Sequence, residues 1–161
     1  MSAPVFFVDA TAAAEWAADC RRRGERVVFT NGVFDLLHPG HVRYLRAARA
    51  EGHVLVIGLN SDQSVRAIKG PSRPATPERE RAEILAALDC VDAVVIFHEE
   101  TPADLIERVQ PDVLVKGADW AADRIVGRET VEARGGRVVR MPIEPGWSTS
   151  AILTKIKGSE L

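Results

Sequence analysis

The chain has 161 residues, 46% of them hydrophobic and 27% charged, with a formal net charge of −2. That length suits one domain burying about 70% of its unfolded surface, so no disulfide or metal staple is required. The near-even balance of 21 Lys+Arg against 23 Asp+Glu speaks against a nucleic-acid partner held by bulk charge, while leaving room for a local anion site.

The start, MSAPVFFVDATAAAEW, has no basic region ahead of a long apolar run, so no signal peptide is expected. No apolar stretch approaches the span of a membrane helix, and no membrane partner is expected. Cys20 and Cys90 show neither CxxC nor metal spacing and read as reduced thiols of a cytoplasmic protein.

Asp9 or Thr11 is placed to cap a helix running to about Arg23, with Gly24 as its stop. RVVFTNG, residues 26–32, is a short and mostly apolar strand of the kind buried on both faces of a parallel sheet. A helix from Pro39 to about Ala50 follows, closed by Gly52. HVLVIGLN, residues 53–60, is a second buried strand, and Ser61 or Asp62 caps a short helix through Ile68. KGPSRPATP, residues 69–77, carries three prolines and a glycine and forms a loop. PERERAEILAAL is a helix with proline near its start. DAVVIF is a third strand, and TPADLIERV a helix capped by Thr101 with Pro102 in its first position. DVLVKG is the fourth strand. A helix around GRETVEARGG leads to the fifth, RVVRMPI, and Ser148 to Lys157 form the last helix.

Strands alternating with helices predict an α/β fold: a Rossmann-like, doubly wound, parallel five-stranded sheet with helices on both faces. One domain is expected over residues 1–161, with an N-terminal helix in 1–24 and the core in 25–158. In such a sheet ligands sit beyond the carboxyl ends of the strands, where the crossovers change direction. His-Pro-Gly-His, residues 38–41, lies just past the first of these strands, at the start of its helix. Pro39 suits the first helical position, and Gly40 lets a ligand approach the backbone. The free N–H groups and the helix dipole favour an anion there, and His38 and His41 share one face of the first turn. The pair reads as a phosphate clamp. A partly exposed polar histidine is the plainer alternative; a zinc pair would need further ligands, and no Cys or third His is suitably spaced. At the other end of the chain Ser148 is an N-cap candidate, with the Thr149 and Ser150 hydroxyls beside free backbone N–H groups.

GVFDLLHPGH resembles the GxFDxxHxGH signature of the cytidylyltransferase-like nucleotidyltransferases. The resemblance continues through GLNSDQSVRAIKG, RPATPERERAEILAALDCVDAVVIF, PDVLVKGADW and GWSTSAILTKI, covering residues 27–157. Together these strings look like the adenylyltransferase branch that makes ADP-heptose from ATP and D-glycero-β-D-manno-heptose 1-phosphate, in its free-standing form, with a separate sugar kinase upstream. Val33 stands where that branch often carries cysteine.

The resemblance implies in-line attack of a substrate phosphate on the α-phosphorus, with no covalent enzyme intermediate. It assigns catalysis to His38, His41 and Lys69, the last on a loop that can close over the phosphates. It assigns nucleotide binding to Thr30, Asn31, Gly32, Val33, Phe34, Gly40, Arg81, Ser148, Thr149 and Ser150. It turns Asp35, Asn60, Asp62, Lys116 and Asp119 towards the acceptor. Taken alone, Lys69 and Arg81 read as surface charges, Asn60, Ser61 and Asp62 as capping residues, and Asp35 as equally able to fix its turn. Mg²⁺ is implied with ATP, since pyrophosphate is a highly charged leaving group. A homodimer is implied by the family. Two other readings stay open: a CTP-dependent cytidylyltransferase for glycerol 3-phosphate or phosphoethanolamine, and a non-catalytic nucleotide-binding regulatory module.

Overall fold

The computed structural model describes residues 5–7 and 9–159. The outer ends of the expected 1–161 domain, and the first residues of the segment read as lacking a leader, lie outside the described residues. In chain order the elements are β1 (Val5–Phe7), α1 (Ala10–Arg22), β2 (Val27–Gly32), α2 (Pro39–Arg49), β3 (Val54–Asn60), α3 (Asp62–Lys69) and α4 (Glu78–Ala86). There follow β4 (Ala93–Phe97), α5 (Ala103–Val109), β5 (Val113–Gly117), a 3₁₀ turn (Ala122–Arg124), α6 (Arg128–Ala133), β6 (Arg137–Met141) and α7 (Thr149–Lys157).

The sheet runs β1-β4-β3-β2-β5-β6 and every neighbouring pair is parallel. The five expected strands are β2 to β6. The sixth, β1, is an addition: three residues at the edge, pairing Phe6 with Val94. From β2 the chain steps outward to β3 and β4, then returns to lay β5 on the other side of β2. That reversal makes a crevice beyond the carboxyl ends of β2 and β5, where open α/β sheets bind ligands.

Alternation along the strands builds two cores. Phe29, Val56, Val95 and Leu114 face α1, α5 and α6, meeting Ala17, Ile106 and Val131. Val28, Leu55, Ile57, Val94 and Val115 face α2 and α4, meeting Leu45 and Leu85. Strands buried on both faces read as continuous apolar runs for this reason. Cys20 and Cys90 are buried free thiols, and burial is the main cause that pushes the Cys20 thiol up to about 11.

The helix starts follow the expected chemistry with one exception. Asp9 accepts from the Ala12 N–H at 2.8 Å, Ser61 from Ser64 at 3.2 Å and Ser148 from Ala151 at 3.0 Å. Thr101 does not cap α5. The Pro102 carbonyl accepts the Ile106 N–H at 2.9 Å, so Pro102 is the cap and the helix begins one residue later than expected. No helix among the described residues is long and apolar enough to cross a membrane.

Candidate active site

A cavity of about 830 Å³ occupies the crevice beyond β2 and β5. Its walls come from segments far apart in sequence: the turn after β2, the start of α2, the loop after α3, the end of β5, and the stretch between β6 and α7.

The turn after β2 brings Asn31, Gly32, Val33, Phe34 and Asp35 to the wall. Phe34 turns the chain with φ at +44°, in the left-handed region that non-glycine residues seldom occupy. A Cβ on Gly32 would lie 2.9 Å from the Phe34 ring, so glycine is what lets this ring fold back over the strand end.

Helix α2 then starts in the cavity. His38 is its N-cap, extended at φ −139°, and Pro39 takes the first helical position. The His38 Nδ1 accepts the His41 backbone N–H at 3.4 Å, which leaves the His38 proton to Nε2. The two rings stack, centroids 3.8 Å apart and 20° from parallel. The Trp147 ring lies nearly parallel to that of His38 at 5.9 Å and 17°, and Phe34 meets His41 at 5.4 Å. Gly40 sits inside this packing: a Cβ there would lie 2.9 Å from His38 Nδ1 and 3.0 Å from the Trp147 Cβ.

Burial sets the protonation of the pair. His41 is pushed down to about 4, chiefly by desolvation and further by the positive charge His38 would carry; desolvation also lowers His38. Both rings are therefore neutral at pH 7, acting as hydrogen-bond donors rather than cations. His41 Nδ1 and Asn31 Oδ1 are buried on the cavity side of the fold with no hydrogen-bond partner among the described residues. Buried polar atoms in that condition are uncommon away from functional sites.

Helix α7 brings a second N-terminus to the same cavity through Ser148, Thr149 and Ser150. Its position is fixed by the Thr149 hydroxyl, which donates to the Leu36 carbonyl at 3.2 Å in the turn after β2. Two helix dipoles thus converge with their positive ends on one space. Lys69, at the end of α3, and Lys116, at the end of β5, add cationic groups to the wall. Lys116 is only 8% exposed, and burial brings its ammonium down to about 8, with Asp119 partly offsetting the fall. Its Nζ lies 5.3 Å from the centre of the Trp120 ring, within cation–π range.

Four of the expected site residues stand elsewhere. Thr30 is fully buried behind the turn, its hydroxyl 2.8 Å from that of Tyr44. Asn60 is buried and donates to Ser64. Asp62 accepts from Arg81 at 2.8 Å. Arg81 itself is 1% exposed, donating to the carbonyls of Thr76, Val33 and Asn60 as well as to Asp62. A guanidinium with four of its five N–H groups engaged inside the protein is a structural joint, not a contact on the cavity wall. Among residues passed over in the sequence, Tyr44, Ile143 and Trp147 line the cavity. Trp147 had a readable signal, an aromatic immediately before a Ser-Thr-Ser cap; Tyr44 and Ile143 had none.

A parallel, doubly wound sheet with two helix N-termini at its reversal point defines an α/β protein of the Rossmann-like type. The chain belongs to the cytidylyltransferase-like family, which it matches over residues 29–155. It is 59% identical over 137 residues to Bifunctional protein HldE of Citrifermentans bemidjiense, covering 85% of this chain and 28% of that protein. Against Bifunctional protein HldE of Acidiphilium cryptum it is 56% identical over 146 residues, or 91% of this chain and 30% of that one. The chain thus spans less than a third of the length of these curated relatives. Among solved structures, the lipopolysaccharide core biosynthesis protein from Thermoplasma volcanium superposes with a TM-score of 0.63 at 28% identity, covering 75% of this chain and 98% of that one. Pantoate-beta-alanine ligase from Francisella tularensis, at 14% identity and a TM-score of 0.64, shares the fold.

Proposed function

We propose that the chain transfers AMP from ATP to a sugar 1-phosphate, D-glycero-β-D-manno-heptose 1-phosphate, giving ADP-heptose and pyrophosphate. The observation that carries this reading is the convergence of two helix N-termini and a stacked, neutral histidine pair on one cavity. The similarity to proteins named Bifunctional protein HldE and to a lipopolysaccharide core biosynthesis protein supports the choice of acceptor.

A sugar-phosphate oxygen attacks the α-phosphorus in line; a new P–O bond forms as the bond to the β-phosphate breaks, and pyrophosphate leaves. The nucleophile is already an anion, so no strong general base is needed. His38 and His41 donate N–H groups to the phosphate chain where charge builds, and the α2 and α7 N-termini add backbone donors. Donors held in place in this way need no reorganisation as the reaction proceeds. Lys69 covers the phosphates, and Lys116 with Asp119 faces the acceptor.

Among the described residues no three His, Cys, Asp or Glu side chains cluster to hold a metal, and both oxygens of the buried Asp35 accept bonds from the loop at 70–77. That donor set suits an Mg²⁺ carried on the triphosphate with its own waters, with Asp119 as the chain's candidate carboxylate. When bound, the ion neutralises the leaving pyrophosphate. In this reading a sugar kinase activity supplies the acceptor's phosphate, and the enzyme acts as a homodimer, which sedimentation of the purified chain tests.

The deciding experiment is pyrophosphate release with Mg²⁺, crossing ATP and CTP with heptose 1-phosphate, glycerol 3-phosphate and phosphoethanolamine. Release with ATP and heptose 1-phosphate alone is the expected result. Turnover of CTP with a simple phospho-alcohol would move the chain to a cytidylyltransferase. ATP binding with no release in any pair would make it a regulatory module.

A further inference from the structure

The segment between α3 and α4 carries Lys69 at its start, and both its ends are constrained in a particular way. Gly70, the C-cap of α3, stands at φ +99° with nothing within 4 Å of where its side chain would be, a conformation that favours glycine and leaves room for the chain to pivot. Beyond it the Arg73 N–H closes a turn onto the Gly70 carbonyl at 3.2 Å. The far end is gripped. The Asp35 side chain is wholly buried and accepts from Arg73 Nε at 2.9 Å, from the Ala75 N–H at 2.8 Å and from the Thr76 N–H at 3.0 Å. The Thr76 carbonyl accepts in turn from Arg81 Nε at 2.8 Å. One residue of the loop is therefore held on its N–H by a carboxylate and on its C=O by a guanidinium.

The other ends of these two groups matter as much. Asp35 belongs to the turn after β2, and Arg81 Nη1 donates to the Val33 carbonyl of that turn at 2.7 Å and to the Asn60 carbonyl at the end of β3 at 2.9 Å. We infer that Asp35 and Arg81 are positioning residues: together they latch residues 73–76 onto the turn that lines the nucleotide site. Motion of the loop is confined to its hinge end, and Lys69 and Arg73 are kept over the cavity whose walls they join. Asp35 acts through the loop, not on the acceptor. Its two oxygens already take the loop's donors: Ala75 and Thr76 on one, Arg73 and Ala75 on the other. The charge-assisted bonds also hold its carboxyl below the usual carboxylate range, against the upward push of burial.

The part of this that concerns catalysis rests on the proposed transferase reaction; the latch does not. Asp35→Asn keeps the shape and removes the charge. In that variant trypsin is expected to cut Lys69–Gly70 about tenfold faster or more, while kcat falls and the acceptor KM stays within about twofold, as for a loop no longer held in position. Arg81→Lys, which keeps the charge and loses the fork, is expected to do the same. Wild-type cleavage rates in a folded Asp35→Asn, or a raised acceptor KM with kcat retained, would overturn the latch. Amide exchange on the unaltered protein covers the case of a variant that does not fold. The Ala75 and Thr76 amides are expected to exchange about a hundredfold slower or more than in a free peptide, and unprotected amides would equally overturn it. Absence of transfer by the unaltered protein with every substrate pair would remove the proposed function and leave the proteolysis and exchange results to decide the latch.

Discussion

Burial disfavours the charged form of His38 and His41, most strongly at His41, whose ring is pushed down to about 4, so in the proposed reaction both would serve as neutral donors. A triphosphate set beside them favours the imidazolium and raises both values. ATP binding should therefore take up protons, and its affinity should rise as pH falls from 7 towards 5. Calorimetry in buffers of different ionisation heat reads this directly, and replacing both histidines by asparagine should remove most of the uptake. The sign is opposite for the free fold. Between about 6.5 and 4 the unfolded chain binds the proton that folded His41 does not, so stability is lost as pH falls through that window. For the reaction, His38→Asn and His41→Asn should each lower kcat by about a hundredfold to a thousandfold, the range for losing a donor at developing charge. Circular dichroism should show the fold unchanged. Retained kcat in both variants would remove the histidines from the chemistry.

Helix α2 carries its N-terminus into the site through one glycine. A methyl at Gly40 would press on both His38 and Trp147, so Gly40→Ala should tilt the ring column and cost on the order of tenfold to a hundredfold in kcat, with a small change in unfolding temperature. Elements of this kind were legible in the sequence because their signals are local: Pro39 at a first helical position, Ser148 before a helix, VLVIGL as a strand buried on two sides. Strand β1 gave no such signal. Its three residues pair with β4 far along the chain, and a segment that short has no periodicity to read. Arg81 misled for a related reason. Its place on α4 is readable, but whether that face turns outward depends on Thr76, Val33 and Asn60 arriving from other segments. Thr30 lies within β2 and Asn60 ends β3, and at both a residue's side of the sheet decides between cavity and core. A resemblance read along the chain could not resolve which side each faced.

At the scale of the whole molecule, the sheet's reversal puts the site where segments from both halves of the chain meet, so occupancy should be felt by the entire fold. A ligand that binds only the folded state at a hundred times its Kd adds about 2.7 kcal/mol, which for a chain of this size raises the unfolding temperature by roughly 5–11 °C. Mg·ATP should produce such a rise in a single calorimetric transition, and an unmoved transition at saturating nucleotide would mean that the folded chain does not bind it. The arrangement of aromatic rings has a separate, optical consequence. Of the three tryptophans, Trp120 and Trp147 stand on the cavity wall, whereas Trp16 packs against the opposite core. Two of the chain's three indoles are thus exposed to whatever enters the cavity, and one lies against the ring of His38. The protein's own ultraviolet emission should therefore change as the cavity fills and empties, an unlabelled gauge that stopped flow can follow.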